Sequence, residues 1–128
     1  MNDSTTYKMR CKMPPKNLSD AKELDNGIMG VYAIFLRHDP KKAYIGSSKD
    51  IRKRLMSHLS RLKSGKHKNY RLKGLFKYHG IEAFKFVILE TCECENKMRQ
   101  REQNILDFVD DKDLYNIDNR VFNYKRKK

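Results

Sequence analysis

The sequence lacks the marks of a membrane-spanning or secreted protein. It has no run of about 18 apolar residues, the length that a spanning helix requires, and its N-terminus has no apolar signal core. Its cysteines are Cys11, Cys92 and Cys94, and an odd count without a secretion signal argues for reduced thiols. Cys92 and Cys94 are too close for a standard zinc pair, and no second pair exists. We therefore expect a cytoplasmic protein with free thiols and no membrane association.

Acidic residues are also scarce: 16 Asp and Glu stand against 29 Lys and Arg, a net charge of +13. Between Ile51 and Ile81 there is no acidic residue at all. The basic residues of this stretch are Arg52, Lys53, Arg54, Arg61, Lys63, Lys66, Lys68, Arg71, Lys73 and Lys77. Such a field attracts polyanions, most commonly nucleic acid, with an anionic membrane surface or a merely solvated face as alternatives. Because the run has one sign and includes Asn69, Tyr70 and Tyr78, we interpret it as a surface for phosphates.

The length of 128 residues fits one domain with a modest core. Residues 1–27 show no sustained period and contain Pro14 and Pro15, so we expect an arm with little structure of its own. A domain over 28–118 and a basic tail over 119–128 follow.

The hydrophobic pattern of the domain predicts both strands and helices. The expected elements are a β-hairpin of strands 30–36 and 43–46, helices over 51–64 and 69–78, a strand over 84–90, a helix over 95–109 and an extended piece over 114–117. The order β-β-α-α-β-α predicts an α/β fold, an α+β sandwich with a small mixed three-stranded sheet flanked by helices.

Two tripeptides of the hairpin, GVY at 30–32 and YIG at 44–46, place two tyrosines next to the first helix. On that helix Arg54 and His58 are four residues apart, so they lie on one face. Taken singly, Arg54 could be a surface charge and His58 a partly buried cap. Together these side chains are enough to attack a phosphodiester.

Glu102 interrupts the apolar stripe of the third helix. The other members of that stripe are Met98, Ile105, Leu106 and Val109. A buried carboxylate is costly unless it has a cation partner or stays protonated. Glu102 therefore either forms a salt bridge with Arg99 or Arg101, or belongs to a functional site.

These groups fit a hydrolytic reaction, which needs an activated water and positive charge at the phosphate and the leaving oxygen. Arg54 can neutralise the phosphate, while Tyr32, Tyr44 and His58 can transfer protons. A divalent cation held by one carboxylate suits the leaving oxygen, and Mg²⁺ or Mn²⁺ fits such a site better than zinc does. Since tyrosine is a poor base at its usual pKa of about 10, we expect the cationic surroundings to lower that pKa.

The chain resembles the GIY-YIG nucleases. The two tripeptides match the family's name motifs, with valine in place of isoleucine at 31, and the following helix carries the family's Arg and His. A Gly-x-His-x-Asn turn at 65–69, the strand FKFVILE before a glutamate helix, and Tyr-Asn at 115–116 occur in the family's order. The resemblance covers residues 28–118.

The resemblance implies an α/β sandwich that cuts DNA by hydrolysis with one divalent cation, Mg²⁺ or Mn²⁺, per active site. It implies that Tyr32 is the general base, with Tyr44 as its hydrogen-bonding partner at the water and the phosphate. Arg54 would hold the scissile phosphate, His58 would relay or orient a proton beside Tyr32, and Glu102 would be the single protein ligand of the metal. Auxiliary roles would fall to His67 and to Asn116, which would brace the hairpin.

The DNA-contacting residues are expected along the basic stretch. They are Arg52, Lys53, Arg61, Lys63, Lys66, Lys68, Asn69, Arg71, Lys73 and Lys77. The favoured function is a metal-dependent DNA endonuclease of a free-standing homing or phage type, which would act in the cytoplasm of the host cell. A compact restriction endonuclease and a catalytically silent nucleic-acid-binding module are the alternatives. One site must act twice to break a duplex, which leaves a homodimer on DNA open.

Overall fold

The computed structural model describes residues 14–117. Cys11 and the predicted basic tail over 119–128 therefore lie outside the described residues. The strands are β1 (Lys16–Asn17), β2 (Gly30–Leu36), β3 (Asp39–Ser48) and β4 (Phe84–Thr91). The helices are α1 (Ile51–Ser64), α2 (Tyr70–His79) and α3 (Glu95–Phe108), with short 3₁₀ turns at Leu18–Glu23, Ile81–Ala83 and Asp111–Asp113. None of the helices in this described part is long and apolar enough to cross a bilayer.

The four described strands form one sheet in the order β1-β4-β2-β3. Every pair of neighbouring strands is antiparallel. The predicted α/β class is confirmed, but the sheet is not mixed and has a fourth, two-residue strand. Strands β3 and β4 run in the same direction, and they would make a mixed sheet only as neighbours. They lie instead on opposite sides of β2, while the outer edge of β3 receives an isolated parallel bridge between Ala43 and Leu114.

The sheet separates two apolar layers, because alternate residues of a strand point to opposite faces. One layer lies between the sheet and α1, α2 and the first 3₁₀ turn, and its fully buried members include Tyr32, Ile34, Leu55, Leu72, Phe84 and Phe86. The other lies under α3 and includes Val31, Ala33, Ile45, Val87, Leu106 and Leu114. Strand β2 is buried on both faces and forms the centre of the fold.

Helix α1 begins where its sequence provides a cap. The Asp50 side chain accepts a hydrogen bond from the Lys53 N–H, which satisfies one free donor of the first turn. Gly65 ends the helix at φ 76°, where its N–H reaches the carbonyls of the last turn. The apolar stripe of this helix is buried, and its members are Ile51, Leu55, Leu59 and Leu62.

The described part of the N-terminal extension is structured, unlike the predicted arm. Lys16 and Asn17 pair with the free edge of β4, and Leu18 and Ala21 are fully buried. The Arg52 side chain of α1 donates to the carbonyl of Lys22 (3.0 Å) and holds this segment in place. Leu18 and Ala21 are three residues apart, the spacing of a single helical turn. Two apolar residues are too weak a pattern to predict an element, and the order of this segment depends on its distant partners.

Candidate active site

A cleft of about 1050 Å³ opens between α1, α3 and the end of edge strand β3. Its walls include all five residues predicted to be catalytic, namely Tyr32, Tyr44, Arg54, His58 and Glu102. The tyrosines belong to the α1 layer of the fold, whereas Glu102 lies on α3 in the opposite layer. The two layers meet here because, among the described strands, none lies beside the last residues of β3 to separate them.

Tyr32 and Gly46 join the two tripeptides across the hairpin. They are direct partners in the β2–β3 register, and a Cβ on Gly46 would lie 2.5 Å from the Tyr32 hydroxyl oxygen. Real Cβ contacts are never this short, so the absent side chain at 46 is what leaves room for the Tyr32 hydroxyl. Tyr44 is two residues before Gly46 on the same face of β3.

A chain of hydrogen bonds leads from Tyr32 to the start of α2. The Tyr32 hydroxyl oxygen lies 2.8 Å from His58 Nε2, and His58 Nδ1 lies 2.7 Å from His67 Nε2. The backbone N–H of Asn69 donates to His67 Nδ1 (3.0 Å). Both histidines are buried, and their rings stack with centroids 4.9 Å apart. His67, predicted to be auxiliary, is thus connected to Tyr32 through His58.

Burial controls the ionisation of these groups. It raises the pKa of Tyr32 well above its usual range, and the nearby Arg54 charge opposes this without overcoming it. Burial also raises the pKa of Tyr44, which the Glu102 carboxylate raises further. The expectation that cationic charge lowers the tyrosine pKa is therefore wrong for the protein alone. Burial, followed by the charge of His67, lowers the pKa of His58 to about 3, so this ring is neutral at pH 7.

Glu102 is half-buried, and its side chain accepts a hydrogen bond from the Ser47 hydroxyl. Glu102 forms a salt bridge with neither Arg99 nor Arg101. Arg99 pairs with Glu95 (2.8 Å) and Arg101 with Glu90 (2.9 Å). Burial raises the pKa of Glu102, while the Ser47 hydrogen bond and the Arg54 charge work in the other direction. Glu102 thus faces the cleft without an ion pair among the described residues.

Ser47 is a site residue that the sequence did not reveal. The run of polar residues before α1 is typical of a helix cap, a role that Asp50 takes, while Ser47 turns towards α3. The only signal was its position directly after the glycine of YIG.

Asn116 braces β3 from outside the sheet. Its side-chain oxygen accepts from the Ile45 N–H (2.9 Å), and its side-chain nitrogen donates to the Ile45 carbonyl (2.8 Å). These two bonds replace a neighbouring strand at the residue next to Tyr44. The Tyr115 N–H adds a third bond to the Ala43 carbonyl (2.8 Å).

The predicted DNA-contacting residues fall into three groups. Lys53, Arg61 and Lys68 line the cleft. Exposed positions outside the cleft are held by Lys63, Lys66, Lys73 and Lys77. The remaining three, Arg52, Asn69 and Arg71, have partners within the fold.

Arg71 and Asn69 hold the segment that carries Asn116. The Arg71 guanidinium donates to the carbonyls of Leu114 (3.2 Å) and Asn116 (3.3 Å). The Asn69 side chain donates to the Tyr115 carbonyl (3.1 Å) and is buried. Segment 114–116 is therefore fixed between β3 and α2.

The donor set of the cleft fits one hard divalent cation. Within residues 14–117 no cluster of three or more His, Cys, Asp or Glu side chains could hold a metal. Three carboxylates line the cleft, but Asp50 caps α1 and Glu95 pairs with Arg99, which leaves Glu102 as the carboxylate available to a metal. One carboxylate in an open, polar cleft leaves most coordination positions to water and substrate oxygens, which is how Mg²⁺ is usually bound. The same set offers nothing to a thiolate-preferring metal.

A helix-covered antiparallel sheet with such a cleft has the form of a hydrolytic nuclease domain. A family model described as the GIY-YIG catalytic domain matches residues 28–116. The chain belongs to the GIY-YIG family and is an endonuclease of that type.

Two solved structures are similar to this chain. One is the catalytic domain of the intron endonuclease I-TevI with a glutamate-to-alanine substitution: it is 31% identical, the match covers 72% of this chain and 95% of that one, and the TM-score is 0.64. The other, the catalytic domain of the homing endonuclease I-TevI, is 30% identical with coverages of 70% and 98% and a TM-score of 0.63. A comparison with curated proteins gave no match.

Proposed function

We propose that this protein hydrolyses phosphodiester bonds of DNA with one divalent cation, Mg²⁺ or Mn²⁺, bound at Glu102. The observation that supports this most directly is the gathering of Tyr32, Tyr44, Arg54, His58 and Glu102 around one open cleft. These residues come from two strands and two helices, and no packing requirement explains a carboxylate, a guanidinium and two tyrosine hydroxyls in one place. Nucleases of this family generally depend on a divalent metal.

Tyr32 is the proposed general base. Its hydroxyl forms part of the cleft wall beside His58 Nε2, so an attacking water bound in the cleft would meet it there. Because burial disfavours the phenolate, the base needs help from neighbouring positive charge and from a hydrogen-bond donor. Arg54 supplies the charge, and Tyr44 orients the water or a phosphate oxygen from the other side.

Arg54 is proposed to bind the scissile phosphate. Its exposed guanidinium lines the cleft, and its charge acts on Tyr32, Tyr44 and Glu102. Arginine suits this role because its planar fork pairs with two phosphate oxygens at once.

Glu102 is the proposed ligand of the cation, and Ser47 holds its carboxylate in position. A divalent cation bound there supplies positive charge to the phosphate and the leaving oxygen. Burial raises the pKa of Glu102, and a cation bound there would favour the ionised carboxylate.

The proposed DNA path runs from the cleft along the exposed lysines of α1 and α2. Lys53, Arg61 and Lys68 line the cleft itself, and Lys66 and Lys73 lie on the adjoining surface. Contacts of this type position the backbone without reading sequence. The likeness to a homing endonuclease supports a homing-type enzyme.

The test is cleavage of supercoiled plasmid by the full chain with Mg²⁺, with Mn²⁺ and with EDTA. We expect cutting with either metal, none with EDTA, and a loss of about 10²-fold or more for Glu102→Gln. Glu93→Gln, at an exposed position before α3, is the matched control and should cut like the wild type. Wild-type cutting by Glu102→Gln would reject the metal assignment, and no cutting under any condition would reject the function.

The same assay measures whether a second copy takes part. Each chain is proposed to hold one site, so a monomer should produce nicked circles before linear DNA. If linear DNA instead appears at once and with a second-order dependence on protein concentration, a homodimer on DNA is the cutting species.

A further inference from the structure

The histidine chain behind Tyr32 ends on a group whose hydrogen-bonding role is fixed. The Asn69 N–H is a backbone amide and can only donate. Its acceptor is His67 Nδ1 at 3.0 Å, so that nitrogen must present a lone pair. A neutral His67 therefore carries its hydrogen on Nε2.

The same reasoning applies to the next ring. His67 Nε2–H faces His58 Nδ1 at 2.7 Å and donates to it. His58 Nδ1 is then an acceptor, so a neutral His58 carries its hydrogen on Nε2. That hydrogen points at the Tyr32 hydroxyl oxygen, 2.8 Å away.

An imidazolium at either position would break the chain. A protonated His67 would place an N–H against the Asn69 N–H. A protonated His58 would force His67 Nε2 to accept, which moves the His67 hydrogen to Nδ1 and creates the same clash. Burial lowers the pKa of both rings, in agreement with this geometry.

We propose that His67 is a positioning residue: anchored by the Asn69 N–H, it holds His58 in the tautomer that carries hydrogen on Nε2. Tyr32 then accepts a hydrogen bond from His58 and directs its own proton into the cleft. The inference rests on the proposed function for its catalytic consequence, but the tautomer itself does not depend on cleavage.

The consequence concerns where protons go. In the resting enzyme the Tyr32 hydroxyl keeps its proton and directs it towards the cleft, because His58 Nε2 is already occupied. For Tyr32 to act as a base, this proton must first pass to solvent in the cleft. The phenolate so formed accepts a hydrogen bond from His58 Nε2–H and takes one proton from the attacking water as the water oxygen bonds to phosphorus. The bond from phosphorus to the leaving oxygen breaks in the same step, and the departing alkoxide takes a proton from solvent in the cleft. His58 keeps its proton throughout and stabilises the phenolate without acting as the base.

The Asn69 backbone, whose N–H donates to His67, is held in place by the contacts of the Asn69 side chain. The Asn69 side chain caps α2 by accepting from the Arg71 and Leu72 N–H groups (2.9 and 3.0 Å). It also donates to the Tyr115 carbonyl. The direction of the Asn69 N–H is therefore set by the start of α2 and by segment 114–116, not by the histidines.

The tautomer is measured by ¹⁵N NMR of the full chain labelled at histidine, with His58→Gln used to assign the signals. At pH 7 we expect hydrogen on His58 Nε2 and on His67 Nε2, with a lone pair on each Nδ1. Hydrogen on His58 Nδ1, or an imidazolium at either ring, would overturn the proposal. This measurement needs no DNA and no metal, so its result can be interpreted even if the protein does not cleave DNA.

Two substitutions at His67 separate positioning from packing. The Gln side chain of His67→Gln can donate to His58 Nδ1 and accept from the Asn69 N–H, so kcat should stay within about tenfold. The carboxylate of His67→Glu can only accept, which forces hydrogen onto His58 Nδ1. We expect His58 to change tautomer and kcat to fall about 100-fold with KM within about twofold.

His38→Gln, at an exposed histidine outside the cleft, is the control and should behave like the wild type. An unchanged His58 tautomer in folded His67→Glu would contradict the proposal. So would a kcat loss as large in His67→Gln as in His67→Glu, since that result would make His67 a packing residue.

Discussion

Gly46 lies opposite Tyr32 across the hairpin, in a gap that would leave a Cβ at 46 only 2.5 Å from the Tyr32 hydroxyl oxygen. The glycine of one tripeptide thus makes room for the tyrosine of the other. The two tripeptides are therefore in direct contact, and a side chain at 46 would not fit beside the Tyr32 hydroxyl.

Gly46→Ala should displace Tyr32 from the cleft wall. Tyr32 is fully buried and cannot move without disturbing its neighbours, so we expect about 1–3 kcal/mol of destabilisation. Single-turnover cleavage should fall about 10²-fold while DNA affinity stays within about twofold.

Gly74→Ala is the matched control for this change. A Cβ at 74 meets nothing within 4 Å, and the residue lies inside α2. Alanine there should raise the unfolding free energy by about 1 kcal/mol and leave cleavage unchanged. Wild-type cleavage by Gly46→Ala would show that the Tyr32 position is not critical.

Asn116 should matter for stability more than for chemistry. Asn116→Ala removes both bonds to Ile45 and leaves its N–H and carbonyl without these partners. We expect a loss of about 2–3 kcal/mol in urea denaturation, against less than about 0.5 kcal/mol for Asn104→Ala at an exposed site of α3. An equal loss of unfolding free energy in the two variants would show that Asn116 does not brace β3.

The sequence was sufficient for the order of the elements from β2 to α3 and for five residues of the cleft, because both depend on local pattern. The stripe that starts at Ile51 and the interruption at Glu102 can each be seen within four turns of helix. The features that the sequence could not predict are those that depend on partners far along the chain. From the sequence, the charge of Arg71 predicts a phosphate contact. In the structure Arg71 donates hydrogen bonds to two carbonyls 43 and 45 residues away, which the sequence pattern could not show.

The basic residues can be separated by salt dependence. Arg61 lines the cleft, and its replacement by Gln should reduce the slope of log affinity against log salt for duplex DNA by about 1. Arg71→Gln should leave the slope unchanged and instead lower the unfolding free energy by about 1 kcal/mol, since its donors hold segment 114–116. A slope change for Arg71→Gln alone would reverse these assignments.

The buried His58 should make stability fall in mild acid. Its pKa is about 3 in the folded protein, against the usual histidine value of 6.5. The unfolded chain therefore binds a proton that the folded one excludes, so the stabilisation is complete above about pH 6.5 and is lost as pH falls towards 3. Between pH 7 and pH 5 we expect a loss of about 2 kcal/mol from this group.

Urea denaturation at several pH values checks this prediction. His58→Gln should lose much of the acid sensitivity, although it starts from lower stability, while His38→Gln should retain it. Parallel stability profiles for the wild type and His58→Gln would mean that His58 is already charged in the folded protein.

The central claim is that the Tyr32 hydroxyl takes part in phosphodiester hydrolysis, and Tyr32→Phe tests it most directly because it removes only that oxygen. Single-turnover cleavage with Mg²⁺ should be compared with DNA affinity for the same protein. We predict cleavage reduced by about 10²–10⁴-fold with DNA affinity within about twofold. Cleavage within a few-fold of the wild type would contradict the account.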